Sequence, residues 1–408
     1  MPFRKLKLAL TLYLVGMVVL HAAMAWKERD LVRKGYQDFT IFYSAAKIVR
    51  QGRGSQLYEE PTQYRVQQEF ASGVSIRHGA LPYNHPPFET VLFLPLTFLP
   101  YFAAYVTWDF INLAILFALP FLLRPHLPIL RELSSGYCLL ASLAFFPVFI
   151  ALLQGQDIIV QLLIFTLAFI AFKTKAELRA GALLGIGLFR FHLIAPIALV
   201  LLLQNRKKAI SGLVAVACAL GLLSIAMVGW HETLAYPIYV WGVEQAMGRG
   251  AIVPADMPNL RGLADTVLAP LATKSLVTVI VAFVSIVLTL LTSAKWKLSC
   301  EGTPFDLGFS LCLVVTILVS YHAFAYDLSL LLLPVLLVAN YLRGPSQVSA
   351  RDKFALLSPA CILFFSPLLM VIWWQYGHLN LLAPVLLLWA WGMARAVSRA
   401  GPLQMNSE

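Results

Sequence analysis

The chain has 408 residues, of which 60% are hydrophobic and only 12% are charged, and its mean hydropathy is +0.77. About a quarter of the residues in soluble domains are charged, so this composition excludes a soluble globular protein and indicates an integral membrane protein. The net charge of +11 does not indicate nucleic-acid binding, because the basic residues form short clusters between apolar segments, as in membrane proteins.

Twelve apolar segments approach the length of a membrane-spanning helix, about 20 residues. They are residues 6–26, 86–100, 103–123, 137–153, 156–172, 180–203, 209–229, 275–292, 306–321, 324–342, 353–374 and 378–394. They predict an all-α, polytopic integral membrane protein of about twelve transmembrane helices, with residues 1–408 forming a single transmembrane domain. The first segment ends in Ala22-Ala23-Met24-Ala25 and is either a cleaved signal peptide or, as its length favours, an uncleaved anchor.

The basic clusters orient these segments. The positive-inside rule places the N-terminus and Arg206-Lys207-Lys208 in the cytoplasm. The two long polar segments, residues 27–82 and 230–274, then face outward as the first and second external loops.

Residues 180–203 conflict with this scheme, because basic residues (Lys173, Lys175, Arg179 and then Arg206) stand on both sides of them. Either the segment is one helix that violates the rule, or it is two half-helices that meet at Phe189-Arg190-Phe191-His192. The second arrangement puts Arg190 and His192 at the outer face and requires residues 86–123 to cross the membrane an odd number of times.

Polar groups at membrane depth are costly, so they are functional candidates. On the predicted outer face they are Asp38 and Tyr43 in the first loop, Tyr83 and His85 at its end, Gln156 after Gly155, Asn259 and Arg261 in the second loop, and His322 and Asp327 in a later turn. Simpler structural explanations exist for several of them. Asp38 can cap a helix, His322 and Asp327 can pair with each other, Arg261 can contact lipid phosphate, and Gly155-Gln156-Asp157 can be a plain helix break.

Absent motifs narrow the function. The sequence has no GxxxxGK[ST] loop, no GxGxxG after a strand, no HExxH and no Asp-x-Asp pair, and its five cysteines lack metal-like spacing. These absences argue against an ATP-driven pump and against a nucleotide-sugar enzyme with metal-chelating carboxylates. We therefore predict no cofactor and no metal.

A series of short motifs resembles glycosyltransferase family 87, the polyprenyl-phosphate-mannose-dependent mannosyltransferase group with the C-type membrane glycosyltransferase fold. The series is Asp38-Phe39, Tyr43-Ser44-Ala45-Ala46, a turn with Gly52 and Gly54, Leu57-Tyr58, Tyr83, Pro86-Pro87-Phe88 and Leu94-Pro95-Leu96. Gly155-Gln156 and the segment from Asn259 to Arg261-Gly262 are similar to later family positions. The resemblance covers most of the chain in order.

The resemblance implies an inverting transfer of a sugar, mannose or another hexose, from a polyprenyl-phosphate carrier to an acceptor hydroxyl on the external membrane face. It implies an acidic residue of the first external loop as general base, and Asp38 is the matching position. One base is enough because a lipid phosphate leaves readily, whereas glycosidases need two carboxylates. Cationic groups would meet the departing phosphate, and our candidates are Arg261, His322, Arg190 and His192.

Further substrate contacts are expected at Tyr43, Tyr83, His85, Asn259, Asp327 and Gln156. The expected partners are the polyprenyl-phosphate sugar donor, a lipid-linked glycan or polysaccharide acceptor and membrane lipid, with no nucleic acid. The expected location is a bacterial inner membrane, with the active site facing outside.

Two departures from the family pattern leave the donor sugar open. Family members often carry a lysine next to proline where this chain has Arg190-Phe191-His192, and a small polar residue such as asparagine where it has Ile158 after Asp157. The alternative function is a transporter or flippase of lipid-linked sugars. Such a protein would use the outer cations without bond formation and would tolerate Asp38→Asn, but it would more usually show paired broken helices in two matching halves.

Overall fold

The structure is a computed structural model, and it describes residues 2–71, 79–245, 253–296, 302–344 and 348–405. These residues are helical or irregular and form no β-strand. The helices are α1 Pro2–Arg33, α2 Phe39–Arg50, α3 Glu60–Gln68, α4 Thr90–Phe93, α5 Tyr101–Leu123, α6 Ile129–Glu132, α7 Ser135–Ala144, α8 Phe146–Gln154, α9 Ile158–Lys173, α10 Glu177–Ile186, α11 Phe191–Leu203, α12 Lys207–Val228, α13 Trp230–Gln245, α14 Leu260–Leu268, α15 Lys274–Lys295, α16 Gly302–Val319, α17 Leu332–Arg343, α18 Ala350–Phe364, α19 Ser366–Met370 and α20 Ala383–Met405. The predicted all-α, polytopic membrane fold is confirmed.

The described residues contain eight helical segments long and apolar enough to cross a membrane, or up to ten if each of two bent pairs counts as one passage. One pair is α7 and α8, which meet at a bend of 77°. The other is α18 and the segment Ser366–Gln375, which begins with α19, and these meet at a bend of 65°. The predicted count of about twelve is therefore not confirmed.

Residues 86–100, one of the predicted spans, account for part of this difference. Tyr58 donates to the carbonyl of His85 at 2.9 Å, and Tyr43 donates to the carbonyl of Leu99 at 2.7 Å. Both ends of the segment thus bond to the first loop and lie at one end of the bundle. Prolines limit the helical structure within the segment to α4 and the 3-10 turns on either side of it. Because both ends lie at the same end of the bundle, the segment does not cross the membrane.

Residues 177–203 are one of the eight segments counted by length and composition, yet they fold back on themselves and do not cross in one passage. Nη1 of Arg206 lies 3.2 Å from Oε1 of Glu177, although a straight helix of 27 residues would extend about 40 Å. The chain reverses at the 3-10 turn Gly187–Arg190 between α10 and α11. The two half-helices, which we call the α10–α11 hairpin, remove the conflict with the positive-inside rule, because the basic residues on both sides of them lie at the same end of the bundle.

Two glycines allow α10 and α12 to pack closely. A Cβ atom on Gly181 would lie 1.8 Å from the carbonyl oxygen of Ala209, and a Cβ atom on Gly212 would lie 2.1 Å from that of Leu178. Small residues permit such close backbone contact between membrane helices. A larger residue at either position would push the α10–α11 hairpin and its tip away from α12.

Helix α16 lies at the centre of the bundle, because 83% of its most apolar stretch is buried. The corresponding share is 11% in α1 and in α12, which form the periphery. Nζ of Lys173 lies 2.6 Å from Oδ1 of Asp306 at the start of α16. We call the end of the bundle with Lys173 and Arg206 the basic end, and the opposite end, with Asp38, the site end.

Candidate active site

A cavity of about 450 Å³ lies at the site end. Its lining includes six of the predicted site residues, namely Asp38, His85, Gln156, Arg190, His192 and His322. They come from the start of α2, the end of the first loop, the break between α8 and α9, the tip of the α10–α11 hairpin and the turn after α16. The fold thus brings together residues that are up to 284 positions apart in the sequence.

Asp38 presents its carboxylate to this cavity. It stands at the N-cap of α2, yet its side chain makes no capping hydrogen bond. Instead, Nε2 of Gln156 donates to Oδ2 of Asp38 at 2.7 Å, and the backbone N–H of Asp38 donates to Oε1 of Gln154 at 3.2 Å. The side chain is half-buried. Helix capping, the simpler explanation for this carboxylate, is therefore not what the structure shows.

Gly155 places Gln156 beside Asp38. Its φ of 64° is left-handed and ends α8, a conformation that only glycine adopts without strain. A Cβ atom here would also lie 2.7 Å from Cβ of Phe39, the neighbour of Asp38. The helix break predicted at Gly155-Gln156-Asp157 is thus present, and it contributes side chains to the site.

Arg190 is 2% exposed and is fully engaged by protein groups. Its Nε donates to Oδ1 of Asp157 at 2.7 Å, and its Nη1 donates to Oδ1 of Asp327 at 2.9 Å. Its Nη2 donates to Oε1 of Gln156 and to Asp157. Gln156 therefore bridges Arg190 and Asp38. Asp327 pairs with Arg190 and not with His322, so the predicted alternative of a His322–Asp327 pair is wrong.

Three side chains next to this network could hold a cation. The ligand atoms of His85, Glu89 and Asp157 lie within 4.8 Å of one another. Burial lowers the pKa of His85 to about 3; the Asp157 charge raises this pKa, and the Arg190 charge lowers it further. The imidazole is therefore neutral, which is the form that binds metals. Burial opposes ionisation of Asp157, but the Arg190 guanidinium and the hydrogen bond from Glu89 together hold the pKa of that carboxyl below its ordinary value. Arg190 thus already supplies one positive charge here.

A second group of charges lies at the rim of the cavity around Glu244 of α13. Nδ1 of His322 lies 2.6 Å from Oε1 of Glu244, and Nη1 of Arg261 lies 2.9 Å from Oε2. Arg261 also donates to the carbonyl of Tyr321 at 3.0 Å and lies over its ring at 3.9 Å. Burial opposes ionisation of Glu244, but the bonds from His322 and Arg261 hold its pKa below the ordinary value. Arg261 and His322 therefore form a site that holds an anion.

The sequence analysis missed Glu244, which lies on a helix with exposed apolar residues. Trp230, Leu234, Ile238 and Trp241 of α13 are exposed apolar residues at helical spacing. Four other residues of this helix, Tyr236, Val240, Val243 and Glu244, line the cavity. Exposed tryptophans of this kind are typical of the interface between membrane and water.

His192 differs from the other cavity residues in its hydrogen bonding. Its Nε2 is buried and has no hydrogen-bond partner among the residues that the structure describes. Its ring centroid lies 5.7 Å from that of His322. This nitrogen is thus available to a polar group in the cavity.

Four predicted substrate contacts are not among the cavity-lining residues. Tyr43 bonds to Leu99 as described above, and Tyr83 donates to the carbonyl of Pro86 and to Glu89 at 2.9 and 3.0 Å. Asn259 accepts from the N–H of Gly262 and donates to the carbonyl of Ser320, while Asp327 holds Arg190. In this structure the four side chains fix the segments that carry the site, and direct substrate contact by them finds no support.

Comparison with known proteins adds one finding. The family model of glycosyltransferase family 87 matches residues 83–320, more than half of the chain. The match includes His85, Gln156, Arg190 and Arg261, whereas Asp38 lies before it. No curated protein matches the sequence. The predicted family is confirmed: the chain belongs to glycosyltransferase family 87 and is a membrane glycosyltransferase.

Proposed function

We propose that the protein transfers a sugar, mannose or another hexose, from a polyprenyl-phosphate carrier to an acceptor hydroxyl with inversion, and that Asp38 is the general base. The observation that carries this proposal is the Asp38 carboxylate, which faces the cavity, does not cap its helix and is oriented by Gln156. A bound acceptor hydroxyl would enter the same cavity.

In the proposed reaction the acceptor oxygen attacks the anomeric carbon while the bond from that carbon to the phosphate oxygen breaks. The hydroxyl proton passes to Asp38, and the electron pair of the broken bond leaves with the lipid phosphate. Attack opposite the leaving group inverts the anomeric carbon. One base is sufficient, because the phosphate needs no protonation to depart.

Arg261 and His322 are the proposed contacts of the donor phosphate. They already bind an oxyanion, the Glu244 carboxylate, at 2.9 and 2.6 Å, and phosphate oxygens accept the same charge-assisted hydrogen bonds. His192 is the next contact, through its unpartnered Nε2. Arg190 is proposed as a positioning residue for Gln156 and Asp157, since its donors are already used.

The proposed orientation follows from charge. The positive-inside rule puts the basic end in the cytoplasm and the site end outside, and we propose a bacterial inner membrane with an external acceptor, a lipid-linked glycan or a polysaccharide. The exposed apolar face of α13 supports a lipid-borne substrate, because it would place the cavity rim at the headgroup level.

The test is transfer of radiolabelled sugar from polyprenyl-phosphate mannose to a membrane lipid extract by purified wild-type protein and by Asp38→Asn. Transfer should fall by about 10²- to 10⁴-fold, the usual contribution of a general base. Asp30→Asn is the matched control, because Asp30 is an exposed carboxylate on α1. Undiminished transfer by folded Asp38→Asn would contradict the proposal. Binding of labelled donor without transfer by the wild type would favour another donor sugar or the transporter alternative.

A further inference from the structure

Helices α14 and α15 enclose an apolar groove of about 250 Å³. Its walls are aliphatic and include Leu260, Ala264 and Val267 on α14 and Ile280 and Val284 on α15. Ligand pockets usually measure roughly 300–1,000 Å³. The groove therefore accommodates only part of a long hydrocarbon chain.

The groove begins beside the anion site. On α14 its wall follows the i, i+3, i+4, i+7 spacing of one helical face, and Arg261 stands next to Leu260 and one turn before Ala264. Asn259 caps α14 and bonds to the carbonyl of Ser320 at 2.8 Å, which fixes the start of this helix against the turn that carries His322. A cationic site and an apolar groove are thus contiguous, as a lipid phosphate requires.

The far side of the groove opens towards lipid. Val279, Phe283 and Ile286 of α15 are exposed, by 62%, 66% and 54% respectively. A chain longer than the groove can therefore continue into the bilayer without burial of any polar group.

We propose that the polyprenyl chain of the donor lies in the α14–α15 groove, with its phosphate at Arg261 and His322 in the place that the Glu244 carboxylate takes in this structure. This inference rests on the proposed function and names the chain-binding part of the same site. The lipid bilayer is as apolar as the groove, so the polyprenyl chain gains little binding free energy when it enters the groove. The groove instead fixes the direction in which the chain leaves the phosphate. It orients the phosphate, which the cations bind.

The test uses a polyprenyl phosphate that carries a diazirine in its second isoprene unit, with the full chain reconstituted in phospholipid nanodiscs. After photolysis, labelled peptides should map to α14 and α15, and excess polyprenyl phosphate, but not polyprenol, should suppress the label. Ala264→Trp places an indole ring in the groove and should reduce labelling by about tenfold, because the ring and the hydrocarbon chain cannot occupy the same volume. The matched control is Ala269→Trp, because Ala269 is exposed at the end of the same helix and does not line the groove.

Ordinary lipid contact would give a different result. Labelling of α14 and α15 that stays unchanged in both Ala264→Trp and Arg261→Gln would overturn the inference, because neither the groove nor the cation would then matter. Wild-type protein that transfers sugar but is labelled only elsewhere would overturn the groove and leave the proposed function standing. Specific groove labelling without sugar transfer would support the groove as a lipid-phosphate site and would count against the proposed donor sugar or in favour of the transporter alternative.

Discussion

Arg190 lines the cavity and Arg261 binds Glu244 at its rim, and the surroundings of the two arginines differ. Arg190 is buried, and its donors are taken by Asp157, Asp327 and Gln156. Arg261 has a side chain that is 18% exposed, and its one charged contact among the described residues is the Glu244 carboxylate on the surface helix α13. A buried arginine with two buried aspartates cannot exchange partners without leaving charges unpaired. Arg261 can exchange its carboxylate for another anion.

We propose from this difference that Arg190 has a structural role and that Arg261 binds a ligand. The sequence analysis placed both among the phosphate contacts, because both are cations near the outer face. The distinction depends on the number of fixed partners around each guanidinium. The following predictions test it, from the largest expected effect to the smallest.

Arg190→Gln should destabilise the protein by about 3–5 kcal/mol, because it leaves Asp157 and Asp327 buried and unpaired. Thermal unfolding in detergent, followed by tryptophan fluorescence, measures the loss. A variant that also carries Asp157→Asn should regain part of the stability. If Arg190→Gln folds like the wild type and changes only donor KM, Arg190 is a ligand residue and the distinction is lost.

Arg261→Gln should leave unfolding nearly unchanged and raise the donor KM about 10- to 100-fold, since a hydrogen bond to a charged group contributes about 1.5–3 kcal/mol. Initial transfer rates at varied donor concentration give KM and kcat separately. Arg65→Gln is the control, because Arg65 is an exposed arginine of the first loop. A large loss of stability with unchanged KM would make Arg261 a structural residue.

Glu244→Gln should lower the donor KM several-fold, because it removes the carboxylate that occupies the anion site and competes with phosphate. The same transfer assay applies, with Glu232→Gln on the same helix as the control. An increase in KM would show that Glu244 positions Arg261 and His322 for the donor instead of competing with it.

The contact of α13 with the cavity rim should persist in weak acid. Because the folded-state pKa of Glu244 is below its ordinary value, the ion pair of its carboxylate with Arg261 contributes fully above the ordinary carboxyl pKa of about 4.3. That contribution is lost as the pH falls through the folded-state pKa. Trp241, whose ring centroid lies 6.4 Å from that of Tyr321, reports the contact. Its fluorescence, taken against Trp241→Phe, should be constant from about pH 7 to 5. A change within this range would contradict the assigned sign.

A chelator should have no effect on transfer, in line with the predicted absence of a metal. EDTA treatment followed by the transfer assay measures this. Loss of activity that a divalent ion restores would make the prediction wrong, and the His85, Glu89 and Asp157 group would then be the first site to test with His85→Ala.

Several features of the site were predictable from the sequence because they depend on single residues in local context. Asp38, His322 and Arg190 are polar groups next to apolar segments, which is where membrane proteins keep costly groups for function. Gly155 followed by two polar residues predicted a helix break, and the structure has one. Glu244 escaped notice because a carboxylate in a long polar loop has no local property that distinguishes it from a solvated one.

The sequence by itself determined the class of the protein and its all-α membrane architecture, because hydropathy acts additively along the chain. Only the tertiary structure decided that residues 177–203 form a hairpin, that Arg190 binds Asp157 and Asp327, and that Glu244 joins Arg261 and His322. Those pairings join helices far apart in sequence. Close packing fixes such contacts, and hydropathy carries no information about them.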